Sequence, residues 1–513
     1  MKCKKMSKIL TAIVLSASMI SLAACGPKSE NAASNSASKN PTITVGVYSD
    51  IASFDPTWVA TLTDRGMLCN IYDTLITYDS SSHTYKASLA SKWSQKDNEI
   101  TFKLKKGIKF SNGAELTAND VVVSLKRLYD DKVQSRMKSQ ATFIKDVIAV
   151  DNSTVKVVCK QPTANALSYI STFMIVQADS IAKFDSHELD APYGTGPFEL
   201  TEWKKQQSIT LSKNKNYWGK KVAINKLIFK VIPTLSTRID ELKTGSIDVA
   251  TQITPDMLSS VKNIPNVSIM SSTGTTLFLG ANVFSGPLKD VRVRQALTMA
   301  IDGNTIAKKL YNGTASVLNQ QVTKQSFGYS KEVSNFEYNP KKAKELLTEA
   351  GYPNGFTIDY DGPQGYYTLD KDLISTISQQ LSDNLGVKLN VTMTDYATYW
   401  DKFLAKKCQG IYLAGITNPI QDADFVLNLH VYSPGRGIYY NTKKTDDLIT
   451  QAKHEMDPKA RQKLYDEIMT TLHADNPWIL TLGLNDSYAV SSRIKGFKPG
   501  DYTRLYFGNA SIK

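Results

Sequence analysis

Hydrophobic positions follow two different periods along the chain. Apolar residues occupy every second position in 43–47 and in 100–104, which is the period of a half-buried β-strand. In 343–350, 373–381 and 464–472 the apolar residues recur three and four positions apart, which is typical of one buried helix face. The pattern therefore predicts a fold that mixes strands with amphipathic helices.

Helix boundaries are marked by proline and glycine. The pairs Asn339-Pro340 and Asp457-Pro458 each place a capping side chain before a proline at the first helical position, and Gly351 predicts a helix end. Gly386 ends another predicted helix, and residues 387–393 then alternate as a strand. A helix, a glycine and a strand form half of an α/β unit. No repeat of 20 to 50 residues is present, which excludes a solenoid or a propeller.

The segment 194–198, Gly-Thr-Gly-Pro-Phe, superficially resembles a phosphate-binding loop. Pro197 has no N–H group and so cannot help a helix N-terminus to hold an anion. We therefore expect a tight crossing of two chain segments at these glycines.

The N-terminal residues have the pattern of an export signal. Four lysines precede the apolar run 9–22, which is too short to span a bilayer comfortably. The following string, Leu22-Ala23-Ala24-Cys25-Gly26, resembles the lipobox of bacterial lipoproteins, which implies a signal peptide at 1–24 and a lipid on Cys25. Residues 25–41 contain no aromatic residue and no apolar period, so they predict a flexible tether. The alternative is an ordinary signal peptide that happens to contain a cysteine.

Charge and cysteines narrow the choice of partners. Loss of the four lysines at the N-terminus lowers the formal net charge from +13 to +9. Lysines are scattered among acids without a basic helix, so nucleic acid is not an expected partner and the charge is interpreted as solvation. Cys69, Cys159 and Cys408 cannot all pair, and their spacing indicates no metal site. We expect no metal and no cofactor.

Catalytic signatures are absent from the sequence. There is no Walker A string, no G-x-S-x-G elbow, no H-E-x-x-H and no C-x-x-C, and the five histidines are scattered. The chain is therefore not expected to be an enzyme. The remaining enzymatic hypothesis is a wall hydrolase, because glycosidase carboxylates have no signature that one sequence reveals.

Motifs spread over nearly the whole body resemble the extracellular solute-binding proteins of the peptide/nickel class, family 5, that serve ABC importers. The matching segments are Ser53-Phe54-Asp55-Pro56, 71–75, 89–93, 101–104, 107–113, 116–121, 194–198, 214–219, 245–248, 291–302 and 343–352. The resemblance implies an α/β fold of the periplasmic-binding-protein type, a bilobal class II clamshell with an extra subdomain. Two crossing segments would join the lobes. The implied domains are lobe I at 42–75, 195–275 and 485–513, the inserted subdomain at 76–194, and lobe II at 276–484.

The resemblance also implies a function and partners. The protein would be a monomeric lipoprotein at the outer face of the cell membrane, where it captures di- or oligopeptides and delivers them to an ABC permease and its ATPase. A closing cleft would bury the ligand. The alternative keeps the fold but exchanges the ligand for a metal chelate or an oligosaccharide.

Candidate ligand residues follow from the same resemblance. Peptide-binding relatives hold the ligand's α-ammonium with a carboxylate, and the corresponding place here is Asn418, a neutral amide. Asp422 or Asp424 could take the role, or could simply be the acids at the start of a helix. Arg436, in the glycine-flanked loop 432–437, could clamp a carboxylate or could be a surface arginine. The further candidates for the cleft wall are Tyr432, Asn441, Trp58, Phe173, Trp400 and Tyr399.

Overall fold

Both helices and strands occur throughout the described part of the chain. The computed structural model describes residues 40–58, 61–181, 192–436, 439–502 and 504–513. The strands are β1 (Thr42–Val47), β2 (Ile76–Asp79), β3 (Thr84–Ala87), β4 (Ala90–Lys96), β5 (Glu99–Leu104), β6 (Ile144–Asp151), β7 (Thr154–Cys159), β8 (Phe198–Lys204), β9 (Ser208–Lys213), β10 (Lys226–Val231), β11 (Val249–Ala250), β12 (Val267–Ala281), β13 (Ala315–Val317), β14 (Thr357–Pro363), β15 (Lys388–Thr394), β16 (Ile411–Ile416), β17 (Trp478–Ser491), β18 (Ile494–Lys495) and β19 (Ser511–Ile512). The helices are α1 (Leu62–Leu68), α2 (Ala118–Lys126), α3 (Ala166–Ile170), α4 (Leu235–Thr244), α5 (Leu258–Lys262), α6 (Val291–Met299), α7 (Gly303–Thr305), α8 (Pro340–Glu349), α9 (Asp370–Leu385), α10 (Tyr396–Leu404), α11 (Ala423–His430), α12 (Lys443–His454) and α13 (Pro458–Asp475).

A mixed sheet connects distant parts of the chain. Among the described residues it has eleven strands, in the order β15-β14-β16-β12-β17-β11-β1-β10-β9-β8 with β13 beside β17. β1 pairs in parallel with β10 and β11, and β14 pairs in parallel with β15 and β16. The carboxyl ends of parallel strands are the usual place for a ligand crevice. A separate four-stranded sheet, β4-β5-β7-β6, belongs to the early part of the chain.

Separate hydrophobic cores define the lobes. One core combines β1 and its neighbours with the C-terminal residues, and a second core is built mostly from residues 75–175. Two further cores lie between residues 277 and 482. We call the described residues up to 272 and from 487 onward lobe I, and residues 277–482 lobe II. The domain boundaries that the sequence predicts stay a prediction.

β12 and β17 run through both lobes as an antiparallel pair. Their register shifts between Thr273 and Thr276, opposite the step from Asn485 to Gly483. A Cβ on Gly274 would lie 2.9 Å from the backbone oxygen of Leu484, so glycine permits this close approach. We call residues 273–276 and 483–486 the hinge.

The helix signals in the sequence are confirmed. Asn339 and Asp457 cap α8 and α13, with prolines at the first helical position. Gly351 and Gly386 adopt positive φ values of 92° and 71° where α8 and α9 end. Thr117 and Asp120 also form a capping box before α2. These outcomes follow from local backbone hydrogen bonds, which the sequence specifies directly.

The predicted chain crossing at the glycine segment 194–198 is confirmed. The Gly196 N–H donates to the Ile71 oxygen at 2.8 Å, and the Phe198 N–H donates to the Asn70 oxygen at 3.0 Å. A Cβ on Gly196 would lie 2.7 Å from the Ile71 carbonyl and 2.8 Å from the Asn70 oxygen. The glycines therefore allow two backbones to touch.

The predicted signal peptide at 1–24, the lipidated Cys25 and nearly all of the tether lie outside the described residues. Among the residues that are described, no helix is both long and apolar enough to cross a membrane. Cys69, Cys159 and Cys408 are free thiols, and all three are buried.

We expect Gly196→Ala to destabilise the protein by about 3 kcal/mol or more, because the new methyl group meets backbone rather than a movable side chain. Gly245→Ala is the matched control. Gly245 has a φ of 76° and free space around its Cβ position, so that change should cost only about 1 kcal/mol. Urea unfolding of both variants measures the difference, and equal costs would contradict the tight crossing.

Candidate functional site

A cavity of about 590 Å³ lies between the lobes beside the hinge. Lobe I contributes Tyr48, which follows β1, and residues 252–255, which follow β11. Lobe II contributes residues 365–368, which follow β14. Hinge residues Thr275 and 484–486 also line it. The remaining lining residues are Pro233, Leu235, Arg238, Tyr311, Thr314 and Ser487. We call this space the cleft cavity; its volume lies within the roughly 300 to 1,000 Å³ of small-ligand sites.

Asp486 places a carboxyl group in the wall of the cleft cavity. Burial raises its pKa to about 6, because a carboxylate loses hydration there. In the described part of the chain no cationic side chain lies within 4 Å of it. The group therefore changes its charge near neutral pH.

Aromatic rings stack along lobe II beside the cleft cavity. The rings of Tyr366 and Tyr396 are 3.6 Å apart at an angle of 12°, and Tyr396 stacks on Trp400 at 5.7 Å. The Arg436 guanidinium lies 4.9 Å from the Trp400 ring centre. Desolvation lowers the pKa of Arg436. The structure thus brings the candidates Trp400 and Arg436 together in a cation–π contact. Neither of them lines the cleft cavity.

Asn418 is buried in the loop between β16 and α11. Its amide nitrogen donates to the Ser326 hydroxyl at 3.3 Å and to the Asp422 backbone oxygen at 3.0 Å. Its amide oxygen is buried without a hydrogen-bond partner among the described residues. An unpaired buried acceptor is costly unless a donor reaches it. Ligand contact at Asn418 stays a prediction.

Asp422 has structural partners for both of its carboxylate oxygens. It caps α11 through the Asp424 N–H, and it receives two hydrogen bonds from Arg461 at 2.6 and 2.9 Å. The Tyr465 hydroxyl adds a third at 3.0 Å. Both partners of the ion pair are buried, and loss of one would leave an uncompensated charge. The geometry therefore supports the alternative interpretation of Asp422, in which it caps a helix.

Asp424 joins the two lobes instead of lining the cleft cavity. The Asn165 amide of lobe I donates to its carboxylate at 2.8 Å, and burial raises its pKa. Close by, the Ala164 N–H donates to the Lys453 oxygen at 2.9 Å, and His454 Nδ1 lies 2.6 Å from the Pro162 oxygen. The lobes therefore touch at a second place besides the hinge. We call these three hydrogen bonds the interlobe contact.

The other candidate ligand residues lie in different parts of the two lobes. Tyr432 is half-buried, with Lys453 3.7 Å from its ring centre, and Asn441 is half-buried in the loop before α12. The Trp58 indole donates to the Val133 oxygen at 3.2 Å. Phe173 is 1% exposed inside the core of residues 75–175, and Tyr399 is buried in a lobe II core. Ligand contact by these residues stays a prediction.

The sequence reasoning did not single out Tyr366, Tyr367 or Asp486. Tyr366 and Tyr367 follow β14 at its carboxyl end, and a strand assignment there would have drawn attention to them. Asp486 depends on Gly274, more than 200 positions away, for its buried setting. In the described part of the chain, no three His, Cys, Asp or Glu side chains come together in a way that could hold a metal ion.

The fold and the interlobe cleft are those of extracytoplasmic solute-binding proteins, and the comparisons specify the family. The sequence profile "Bacterial extracellular solute-binding proteins, family 5 Middle" matches residues 84–437, more than half of the chain. The chain belongs to this family, whose members are the substrate-binding components of ABC importers. Its partners are therefore a small-molecule ligand and a permease with its ATPase.

Relatives are similar over most of their length. The chain is 28% identical to the dipeptide-binding protein of Escherichia coli strain K12, over 86% of this chain and 89% of that protein. It is 27% identical to heme-binding protein A of Haemophilus influenzae, over 97% of this chain and 98% of that protein. The solved structure of Helicobacter pylori DppA in complex with the peptide STSA matches with a TM-score of 0.74 and 26% identity, covering 92% of this chain and 98% of that chain.

We expect Asp486→Asn to change stability in a pH-dependent way. The folded pKa of about 6 exceeds the unfolded value near 3.9, so the free energy of unfolding of the wild type falls as pH rises from about 4 to about 6. The asparagine side chain does not ionise, so the variant does not lose this part of its free energy of unfolding as the pH rises. The variant should match the wild type at pH 4 and be about 2 kcal/mol more stable at pH 7.5. Urea unfolding at four pH values tests this, and a difference that does not vary with pH would contradict it.

Proposed function

We propose that this protein captures di- or oligopeptides in the cleft cavity and delivers them to its permease. The observation that carries the proposal is the interlobe cavity of about 590 Å³. Most of its lining is uncharged, such as Tyr366, Gln252 and Asn485, and its charged residues are Arg238 and Asp486. Extended peptides offer the same N–H and C=O groups whatever their sequence, so a wall made mostly of uncharged hydrogen-bonding groups suits them. Similarity to the dipeptide-binding protein and to peptide-bound DppA supports the same ligand class.

The loop between β16 and α11 lies outside the lining of the cleft cavity but carries further hydrogen-bond acceptors. Its residues Asn418 and Gln421 each carry a buried amide oxygen without a hydrogen-bond partner among the described residues. Peptide N–H groups are donors of the kind that these oxygens lack. The alternative is a metal chelate or an oligosaccharide on the same fold. We propose no catalytic step for the cleft.

Native mass spectrometry of the full chain, purified from the cells that make it, tests the ligand class. Denaturation releases whatever was bound, and we expect a series of peptide masses whose length distribution reports the usable size of the cleft. A single non-peptide mass, or bound metal detected by elemental analysis, would contradict the peptide proposal and favour the alternative.

We also propose that the chain is a monomer held at the outer face of the cell membrane by a lipid on Cys25. The apolar run 9–22 and the string 22–26 support the anchor. Cys25→Ser should abolish lipid labelling and move the protein from the membrane to the soluble fraction. Cys3→Ser, within the predicted signal peptide, is the matched control and should leave both unchanged. Labelling that survives Cys25→Ser would contradict the anchor.

A further inference from the structure

A second cavity of about 150 Å³ lies between the lobes, and its lining shares no residue with that of the cleft cavity. Lobe I contributes Arg65 from α1, Thr172 and Arg504, and lobe II contributes Pro419 and Gln421. We call it the arginine cavity. It is smaller than the roughly 300 Å³ at which small-ligand sites begin, so it fits one end of a ligand better than a whole one.

The two arginines of this cavity form no close ion pair among the described residues, and the charge of Arg504 acts at longer range on the Asp73 carboxyl in the same lining. Arg65 donates to the Thr172 backbone oxygen at 3.1 Å, and Arg504 lies over the Tyr506 ring at 5.6 Å. Among the described residues no carboxylate lies within 4 Å of either guanidinium. Burial lowers the pKa of Arg65 to about 10, so the group is still cationic at neutral pH. Arg65 is half-buried and Arg504 is exposed. A partly desolvated cation such as Arg65 favours the binding of an anion, and Arg504 adds a second positive charge.

The acids nearest in the lining have other hydrogen-bond partners. One Asp73 oxygen accepts from the Thr195 hydroxyl and from the Trp218 indole, both at 2.9 Å. An Asp501 oxygen accepts from the Ser80 hydroxyl at 3.0 Å. These contacts hold the acids in the lobe I wall, so the two guanidinium groups remain the anion-binding groups of the cavity.

Gln421 lines the cavity from the opposite lobe. Its amide oxygen is buried without a partner among the described residues. Its backbone has a φ of 50°, a left-handed conformation that is unfavourable for a residue with a side chain. Two backbone hydrogen bonds, from the Gln421 N–H to the Asn418 oxygen and from the Phe327 N–H to the Gln421 oxygen, hold it there. Such strain at a cavity wall is typical of functional positions.

These groups match one end of a peptide. The last residue of a peptide carries an amide N–H beside a free carboxylate, which is a donor next to an anion. We infer that the arginine cavity binds the C-terminal residue of a peptide, with Arg65 and Arg504 holding the carboxylate and Gln421 accepting the last amide N–H. This inference rests on the proposed peptide function. Because the contacts come from both lobes, a bound C-terminus also favours closure.

The test uses an equimolar synthetic library of di- to pentapeptides, each present as a free acid and as a C-terminal amide, offered to the full chain. Mass spectrometry counts the captured species. We expect the wild type to enrich free acids over amides by about tenfold or more, because a C-terminal amide cannot form the charge-assisted hydrogen bonds that a carboxylate forms with guanidinium groups. In the double variant Arg65→Gln/Arg504→Gln, the ratio of captured free acids to captured amides should fall to about one. Gln421→Glu should lower it as well, because it sets a negative charge beside the carboxylate.

Arg292→Gln is the matched control. Arg292 is a half-exposed surface arginine that pairs with Asp290 outside both cavities, so the ratio should stay at the wild-type value. Equal capture of acids and amides by the wild type, or an undiminished preference in the double variant, would overturn the inference and leave the peptide function standing. Capture of neither form would overturn both. The ratio of free acids to amides captured by the wild type tests the inference even if the double variant fails to fold.

Discussion

Antiparallel pairing of β12 and β17 is the interaction on which the rest of the structure depends. These two strands are continuous through both lobes, so their hydrogen bonds connect the parts of the chain that carry the separate hydrophobic cores. The register shift at the hinge is the place where that pairing is irregular. The cleft cavity lies directly beside this irregular step, and its lining includes hinge residues. A ligand there contacts both lobes and the segments that join them.

Buried polar groups maintain the geometry of the lobe II wall. The Asp422–Arg461 pair, with the Tyr465 hydroxyl, fixes the start of α11 and therefore the loop that precedes it. That loop contains Asn418 and Gln421, whose amide oxygens have no partner among the described residues. The group of Asp422, Arg461 and Tyr465, whose side chains are hydrogen-bonded to one another, thus supports a loop in which two amide oxygens have no partner among the described residues. Such a division is usual where a rigid scaffold holds groups in place for a ligand.

The sequence predicts helix boundaries and backbone turns better than it predicts the arrangement of the ligand site. The helix starts at Asn339 and Asp457 depend on residues next to them in the chain. The crossing at Gly196 depends in part on local sequence too, because glycine lets another backbone come close and the following proline restricts the chain. The family was recognisable from ordered motifs, and the profile match confirms it. The environment of a cleft residue depends on distant partners instead. Asp422 meets Arg461 through folding, 39 positions away, and the sequence alone left its role open.

The interlobe contact has a consequence for how affinity evolves. Its hydrogen bonds join Asn165 to Asp424 and residues 162–164 to residues 453–454, outside both cavities. They join the two lobes in the arrangement that the structure describes, and a form in which the lobes separate would lack them. The apparent affinity of a ligand scales with the fraction of molecules in the binding-competent state. While the open form predominates, each 1.4 kcal/mol gained or lost at this contact shifts the apparent Kd about tenfold. Substitutions there can tune the importer to scarce or abundant nutrient without changing which nutrient it selects.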